Sequence, residues 1–317
     1  MTIGAAGSDL WLVGAGRMAR DYVSVLDSLN VDYEVVGRGK DSSTAFEVAT
    51  GRTVLTGGIT RAIGNGIVPD RAIVAVGVEE LAEVAYELLD AGVTRLLLEK
   101  PGGLCSEELV KIRGRASSAE VIVAYNRRHY MSTSTARQII SDDGGVRSFF
   151  FEVTEWPNAT EPEQVKSSVR QRWFLAQSSH VVDLAFHLGG HPINWASWNG
   201  GSLPWHPESS RFAGAGITNT GATFGFHGDW EAPGRWGLEV MTRSRRIIFR
   251  PLETLQVMSI GSLEVVPVPI DDQIDRDFKP GLYEQTRSFL LEEDGVACTL
   301  DEQIENMHMY EQIAGYR

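Results

Sequence analysis

His180, Asp183 and His187 interrupt an otherwise apolar run over residues 178–188, which also holds Val181, Val182, Leu184, Ala185, Phe186 and Leu188. Their spacing of i, i+3 and i+7 puts all three on one face of a helix. Ionisable groups on an apolar helix need partners, and such groups concentrate at functional sites. Three readings are open. In the first, the stripe is a catalytic face: His187 exchanges a proton, because imidazole titrates near neutral pH, and Asp183 positions a substrate. In the second, two histidines and an aspartate ligate a metal. In the third, the three form a hydrogen-bonded core triad. The first is adopted because other segments supply a chemistry for it, and no metal ligand is assigned.

A second candidate lies at the N-terminal end of the chain. Gly14-Ala15-Gly16-Arg17-Met18-Ala19 directly follows a short apolar run and opens a helical pattern. A first glycine makes the tight turn, a second lets backbone approach a pyrophosphate, and a third small residue lets helix and strand pack closely. The free N–H groups and positive dipole end of the helix suit the phosphates. The expected ligand is a nicotinamide dinucleotide, with Val76 at the end of a later strand also expected to contact it. An acid at the end of the second strand favours NAD, whereas an arginine accommodates a 2′-phosphate. Here the strand runs into Gly37-Arg38-Gly39-Lys40-Asp41-Ser42-Ser43. NADP(H) is therefore expected, with Arg38 on the phosphate and Ser42 or Ser43 donating hydrogen bonds. NAD(H) is the alternative.

A third candidate is Lys100, within Glu99-Lys100-Pro101-Gly102-Gly103 after the apolar run 96–98. Ligands of open α/β sheets bind outside the carboxyl ends of the strands. That location lets Glu99 and Lys100 meet cofactor or substrate.

The elements that must position these groups follow from the hydrophobic pattern. Apolar runs at 10–13, 33–36, 72–76, 96–98 and 121–124 alternate with helical patterns at 17–29, 78–91 and from Ser106, read as an N-cap, towards Arg115. Such alternation predicts a doubly wound parallel sheet, a Rossmann domain over residues 1–124. The pattern then changes. Helices are expected at 132–140, 178–188, 278–292 and 301–312, and strands at 149–155, 221–228, 235–241, 246–249 and 262–266, with a polar loop around Pro157 and Pro162. Consecutive strands predict an α+β domain with a large, mostly antiparallel, open-faced sheet over residues 125–317, whose exposed face implies a homo-oligomer, a dimer or tetramer. Seven of the eight tryptophans, Trp156, Trp173, Trp195, Trp198, Trp205, Trp230 and Trp236, fall in this part. Arg172 and Trp173, just before the polar helix, are candidate substrate contacts.

Composition narrows the function classes. The net charge of −13 disfavours nucleic acid as a partner. No apolar run approaches the roughly 18 residues of a membrane span, and residues 1–9 lack the basic start of a signal peptide. The expected location is cytoplasmic. Cys105 and Cys298, the two cysteines, are expected as reduced thiols.

Glu99-Lys100-Pro101 after G-x-G-x-x-A, with Tyr125-Asn126-Arg127-Arg128 and Asp183-Leu184-Ala185-Phe186-His187, resembles the glucose-fructose oxidoreductase / inositol dehydrogenase / MocA family. The resemblance covers most of the chain, with the motifs in the expected order. It implies that Lys100 contacts substrate, that Asn126 and Arg128 line the nicotinamide and substrate cleft, that Asp183 contacts substrate, and that His187 is the acid/base; His180, on the same stripe, is a further candidate substrate contact. The segments around Lys100, Tyr125 and Asp183 look like a branch often associated with surface-polysaccharide and nucleotide-sugar pathways. Many members carry glycines where this chain has Gln177-Ser178-Ser179-His180. The implied activity is reversible hydride transfer between NADP(H) and a carbohydrate keto or hydroxyl carbon, on a nucleotide-linked sugar in biosynthesis. The alternatives are a free polyol or inositol dehydrogenase and a non-catalytic NADP-binding sensor or regulatory protein. A metal-dependent lyase or hydrolase is a third class.

Overall fold

The computed structural model describes residues 9–66, 68–155, 165–293 and 295–316. Trp156 and the loop expected around Pro157 and Pro162 lie outside them. The chain opens with β1 (Leu10–Val13), α1 (Arg17–Ser28), β2 (Glu34–Gly37), α2 (Lys40–Thr50), β3 (Val54–Thr56), α3 (Gly58–Gly64), β4 (Arg71–Val74), α4 (Leu81–Asp90), β5 (Arg95–Glu99), α5 (Ser106–Ala116) and β6 (Glu120–Ala124). It continues through α6 (Met131–Asp142), β7 (Ser148–Glu152), α7 (Ser167–Gln171) and α8 (Ser179–Gly189). The strands β8 (Pro192–Gly200), β9 (Arg211–Thr218), β10 (Thr223–Asp229), β11 (Gly237–Met241), β12 (Arg245–Phe249), β13 (Gln256–Ser259) and β14 (Val266–Pro267) follow. The chain ends with α9 (Gln273–Asp277), α10 (Leu282–Leu291), β15 (Cys298–Thr299) and α11 (Leu300–Ala314).

Packing divides the chain into two units. The first comprises the described residues up to Tyr125 with those of Leu282–Glu305. Its sheet has the order β15-β6-β5-β4-β1-β2-β3, parallel throughout except for β15. This is the doubly wound Rossmann order, which reverses between β1 and β4 and so opens a crevice at their carboxyl ends. All four residues of β1 are buried, as are Leu96, Leu97 and Leu98. Helices on both faces account for these continuous apolar runs.

The domain expected over 125–317 is interrupted. β15 extends the first sheet, pairing Cys298 with Val123, and α10 packs against α1. Two buried or half-buried arginines fasten α10 there. Arg95 Nε donates to Phe289 O at 3.1 Å, and Arg71 Nη1 to Leu290 O at 3.2 Å. No composition shift marks these crossings, because both units need the same apolar helix face.

The second unit comprises the described residues of Asn126–Gly281 and Asn306–Arg317. Its sheet has the order β14-β13-β12-β11-β7-β10-β9-β8, antiparallel except between β7 and β10. Period-2 alternation turns Phe149, Phe151, Phe224 and Phe226 inward, onto the face where α8 packs against β7 and β11. Phe186 of α8 stands edge-on to three rings of the sheet, at centroid distances of 5.6 Å to Phe149 and Phe151 and 5.0 Å to Phe224. The polar stripe of α8 is thus held by an aromatic cluster. Phe150, Trp198 and Ile217 stay exposed on other strand positions.

Some expectations fail for local reasons. No helix is expected between 37 and 71, yet Lys40–Thr50 form α2, whose buried side chains are only Ser43 and Phe46, too few to print a helical period. β9, Arg-Phe-Ala-Gly-Ala-Gly-Ile-Thr, has poor strand propensity but is paired along both edges by β8 and β10. Of the strand expected at 262–266 only Val266 pairs, in β14. The N-cap of α5 is Cys105, not Ser106, and makes no side-chain cap. Instead Glu108 turns back and accepts from Leu104 N at 2.6 Å.

Phe186→Ala should destabilise the chain by about 3–5 kcal/mol, the usual cost of truncating a buried phenylalanine. Urea unfolding would measure it, and a loss below 1 kcal/mol would show that the aromatic cluster does not hold α8.

Candidate active site

Gly14 lies against β4. Its φ is +128°, and a Cβ there would come within 2.3 Å of Ala75 O. Only glycine lets the turn pass so close to the neighbouring strand. A Cβ on Gly16 would meet nothing within 4 Å, so this position faces open space. Gly16 is also the N-cap of α1 and makes no side-chain cap, which leaves the first-turn N–H groups for a ligand. A cavity of about 360 Å³ opens here, lined among others by Arg17, Met18, Arg38, Ser42, Val76 and Glu80. Ala19 points the other way and is fully buried, as the third small position of the turn requires. The turn, the free helix start and the adjacent cavity fit a dinucleotide pyrophosphate.

Arg38 reaches across this cavity to Glu80, at 2.5 Å, with most of its side chain exposed. Glu80 carries no sequence signal as a partner of Arg38, because it lies 42 residues further on, in the turn after β4. Ser42 lines the cavity and donates to Gly39 O at 3.0 Å. Ser43 does not line it: it is buried, and its Oγ sits where a Cβ of Gly37 would fall. Once α2 begins at Lys40, consecutive residues point about 100° apart, which sends Ser42 to the cavity and Ser43 to the interior. Ser43 Oγ has no hydrogen-bond partner.

Glu99 and Lys100 stand at the carboxyl end of β5. The buried Tyr22 of α1 donates its hydroxyl to Glu99 Oε1 at 2.8 Å. Burial, then the Glu99 carboxylate, raises the Tyr22 pKa well above its ordinary value, so it remains a donor. Gln303 of α11 donates to Pro101 O at 2.8 Å. Neither Tyr22 nor Gln303 carries a sequence signal, since each acts across 77 or 202 residues.

In the second unit the polar stripe of α8 is resolved into separate roles. Asp183 Oδ2 and Oδ1 accept from Arg128 Nε and Nη2 at 2.9 and 2.6 Å. The two side chains are 0% and 2% exposed. Both carboxylate oxygens are engaged by Arg128, and little surface of either side chain remains in this structure. The pair acts as a buried strut. His187 lies one turn further along α8, and its Nε2 is buried with no hydrogen-bond partner. Burial first, then the cationic Arg128 and Arg137 and the His129 ring, lower its pKa well below the ordinary 6.5. The imidazole is neutral at pH 7 and has a ring nitrogen available. His180 is buried near Trp236, at a centroid distance of 6.1 Å. Among the described residues no group of three or more His, Cys, Asp or Glu is arranged to hold a metal.

Other expected contacts are placed elsewhere. Trp173 is buried, donates Nε1 to Glu155 at 2.7 Å and stands edge-on to Trp205, so it packs the core. Arg172 lies over the Tyr316 ring at 4.5 Å and lines a separate cavity with Asn199 and Glu208. The amide of Asn126 donates to Pro280 O at 2.9 Å. Both cysteines are free thiols. No helix among the described residues is long and apolar enough to cross a membrane.

No protein-family profile matches the chain, and no curated protein matches it in sequence. Its fold is shared by several solved structures at low identity. UDP-N-acetylglucosamine 3-dehydrogenase GnnA from Acidithiobacillus ferrooxidans is 14% identical with a TM-score of 0.75, covering 98% of this chain and 97% of that one. Levoglucosan dehydrogenase in complex with NADH and L-sorbose is 15% identical with a TM-score of 0.79, covering 96% and 95%. An oxidoreductase from Agrobacterium radiobacter in complex with NAD+, L-tartaric acid and magnesium is 11% identical with a TM-score of 0.78, covering 96% and 95%. The Rossmann sheet and the second, mostly antiparallel sheet are common to this fold.

Removing one member of a buried ion pair strands the other charge, at a cost of about 3–5 kcal/mol, whereas replacing both with apolar groups of similar volume costs far less. Asp183→Leu is expected to lower stability by that amount, and Arg128→Met with Asp183→Leu to recover most of it. Chemical denaturation of the three proteins checks this, and equal losses in the single and double variants would mean that the pair is not a closed unit.

Proposed function

We propose that the chain is a nicotinamide-dependent oxidoreductase that interconverts a hydroxyl and a ketone on a carbohydrate. The observation that carries this reading is the turn at Gly14 and Gly16, open to a cavity where the strand order reverses. Supporting it are Lys100 at a strand end, a neutral His187, and the sugar substrates named for two proteins of the same fold. When bound, the nicotinamide supplies or accepts the hydride. The role assigned to Lys100 is to orient the substrate oxygen through its ammonium group. His187 Nε2 accepts the hydroxyl proton on oxidation and returns it on reduction. The Arg128–Asp183 pair holds α8, and with it the imidazole, which burial first and the nearby cations second keep neutral. The neutral base suits the oxidation direction. A biosynthetic, nucleotide-linked substrate is the preferred member of the class, and a free polyol is the alternative. A purely regulatory cofactor-binding protein would have no use for a neutral histidine kept unpartnered beside a buried ion pair.

For the cofactor we favour NADP(H). No carboxylate ends β2, and Arg38 lines the cavity. Binding a 2′-phosphate would exchange the Arg38 partner from Glu80 to phosphate. The second reading is NAD(H): Glu80 already engages Arg38, and two of the same-fold proteins above are described with NADH or NAD+. Initial-rate kinetics with both cofactors decide between them. Glu80→Gln should lower KM for the 2′-phosphorylated cofactor about fivefold, the scale of one exposed ion pair, with little change for the other. An unchanged ratio would remove Arg38 from cofactor selection.

His187→Ala is expected to reduce kcat for sugar oxidation by about 10²- to 10⁴-fold, the range for a general base, while cofactor binding measured by fluorescence titration is retained. The pH profile adds a sign. The base must be neutral, and its pKa is depressed below 6.5. Oxidation should therefore hold its rate as pH falls to 6.5 and decline only below it. A decline centred at or above pH 6.5 would exclude His187 as the titrating base.

A further inference from the structure

The second unit holds a cavity of about 550 Å³ that the reading above leaves unassigned. Arg127, Gln177, Arg235, Trp236, Glu155 and Glu253 contribute to its wall. Arg127 is the adjacent residue to the strut arginine, Arg128, yet its situation is opposite. No carboxylate pairs with it among the described residues, and its Nε is buried without a hydrogen-bond acceptor. Its guanidinium is set in place by rings alone, 5.0 Å from the centre of Trp236 and 5.9 Å from that of Tyr130. Trp236 Nε1 is likewise buried without an acceptor.

Unsatisfied buried donors are costly, and two on one wall call for an acceptor-rich ligand. The carboxylates that line the cavity among the described residues do not meet the need. Both oxygens of Glu155 are engaged, one by Trp173 Nε1 and the other by Ser178 Oγ. Glu253 is exposed and accepts from the Tyr130 hydroxyl at 3.4 Å. Arg235 adds a second, exposed guanidinium at the rim. A neutral sugar hydroxyl could accept from Arg127 but would leave its charge uncompensated. An oxyanion answers both the charge and the fork geometry of guanidinium.

We infer that this cavity binds the oxyanion group of an acidic carbohydrate, a carboxylate or a phosphate, with Arg127 as the charged donor and Trp236 as wall and second donor. The inference rests on the proposed carbohydrate chemistry for its context but not for its test. Binding is read by calorimetry and by thermal unfolding of the full chain with three probes: D-glucuronate, D-glucose 6-phosphate and D-glucose. The acidic probes should bind and raise the unfolding temperature, and D-glucose should not. The stronger of the two acidic probes identifies carboxylate or phosphate as the natural group. Arg127→Gln should weaken the acidic probes roughly 10- to 100-fold, the scale of a hydrogen bond to a charged group. Arg127→Lys should retain part of the binding, and Trp236→Phe should lose less than Arg127→Gln. Unfolding without any probe shows whether each variant is folded. Equal binding of D-glucose, or acidic binding unchanged in folded Arg127→Gln, overturns the inference. If sugar oxidation is detected but only on neutral substrates, this inference fails and the proposed function stands. If no sugar is oxidised with either cofactor while Arg127-dependent binding persists, the proposed function fails and this inference stands.

Discussion

A carboxylate and a guanidinium, both stripped of water, must stay together, and the second unit depends on this. Arg128 enters from the turn after the first sheet, and Asp183 from the middle of α8. Separating them would expose each charge to an apolar interior, which is far more costly than any strain needed to keep them joined. The pair therefore fixes α8 to the 126–129 turn, while Phe186 fixes it to the sheet. Between these two anchors the orientation of the helix is settled. His187 inherits a buried place beside Arg128, and so a pKa held below its ordinary value, first by burial and then by the nearby cations. The same ion pair thus sets Asp183 in the interior and, one turn further along the helix, the place of His187.

The first unit has a corresponding constraint in the approach of Gly14 to Ala75. The turn can cross the edge of β4 only without a side chain, and this crossing leaves the start of α1 uncapped. The cavity beside it is completed by neighbours from other turns. Arg38 leaves β2 and Glu80 follows β4, and they meet over the same cavity. Their attraction is modest because Arg38 is largely exposed, so a competing phosphate could displace the acid. The two faces of α2 make a similar division, sending Ser42 to the cavity and Ser43 to the interior.

Local pattern alone determined a good deal of this protein. Continuous apolar runs between helical periods specify a parallel sheet, because strands covered on both faces need no alternation. The glycine turn was legible because steric exclusion at Gly14 allows no other residue. The stripe on α8 was visible because a helix has a fixed period. Where few side chains are buried, as in α2, or where propensity is poor, as in β9, the pattern was blank and pairing with neighbours decided the structure.

Only the tertiary structure could tell what the polar residues do. A sequence shows that Asp183 is an acid but not that Arg128, 55 residues earlier, takes both its oxygens. It shows two adjacent arginines, 127 and 128, without revealing that one is neutralised and the other left with aromatic rings. It places residues 282–305 after the second domain, although their helix and edge strand complete the first. Residue type and spacing determine which elements form and which face is apolar, since those depend on near neighbours. Partnering, desolvation and protonation depend on groups brought together from distant parts of the chain, and only folding sets those distances.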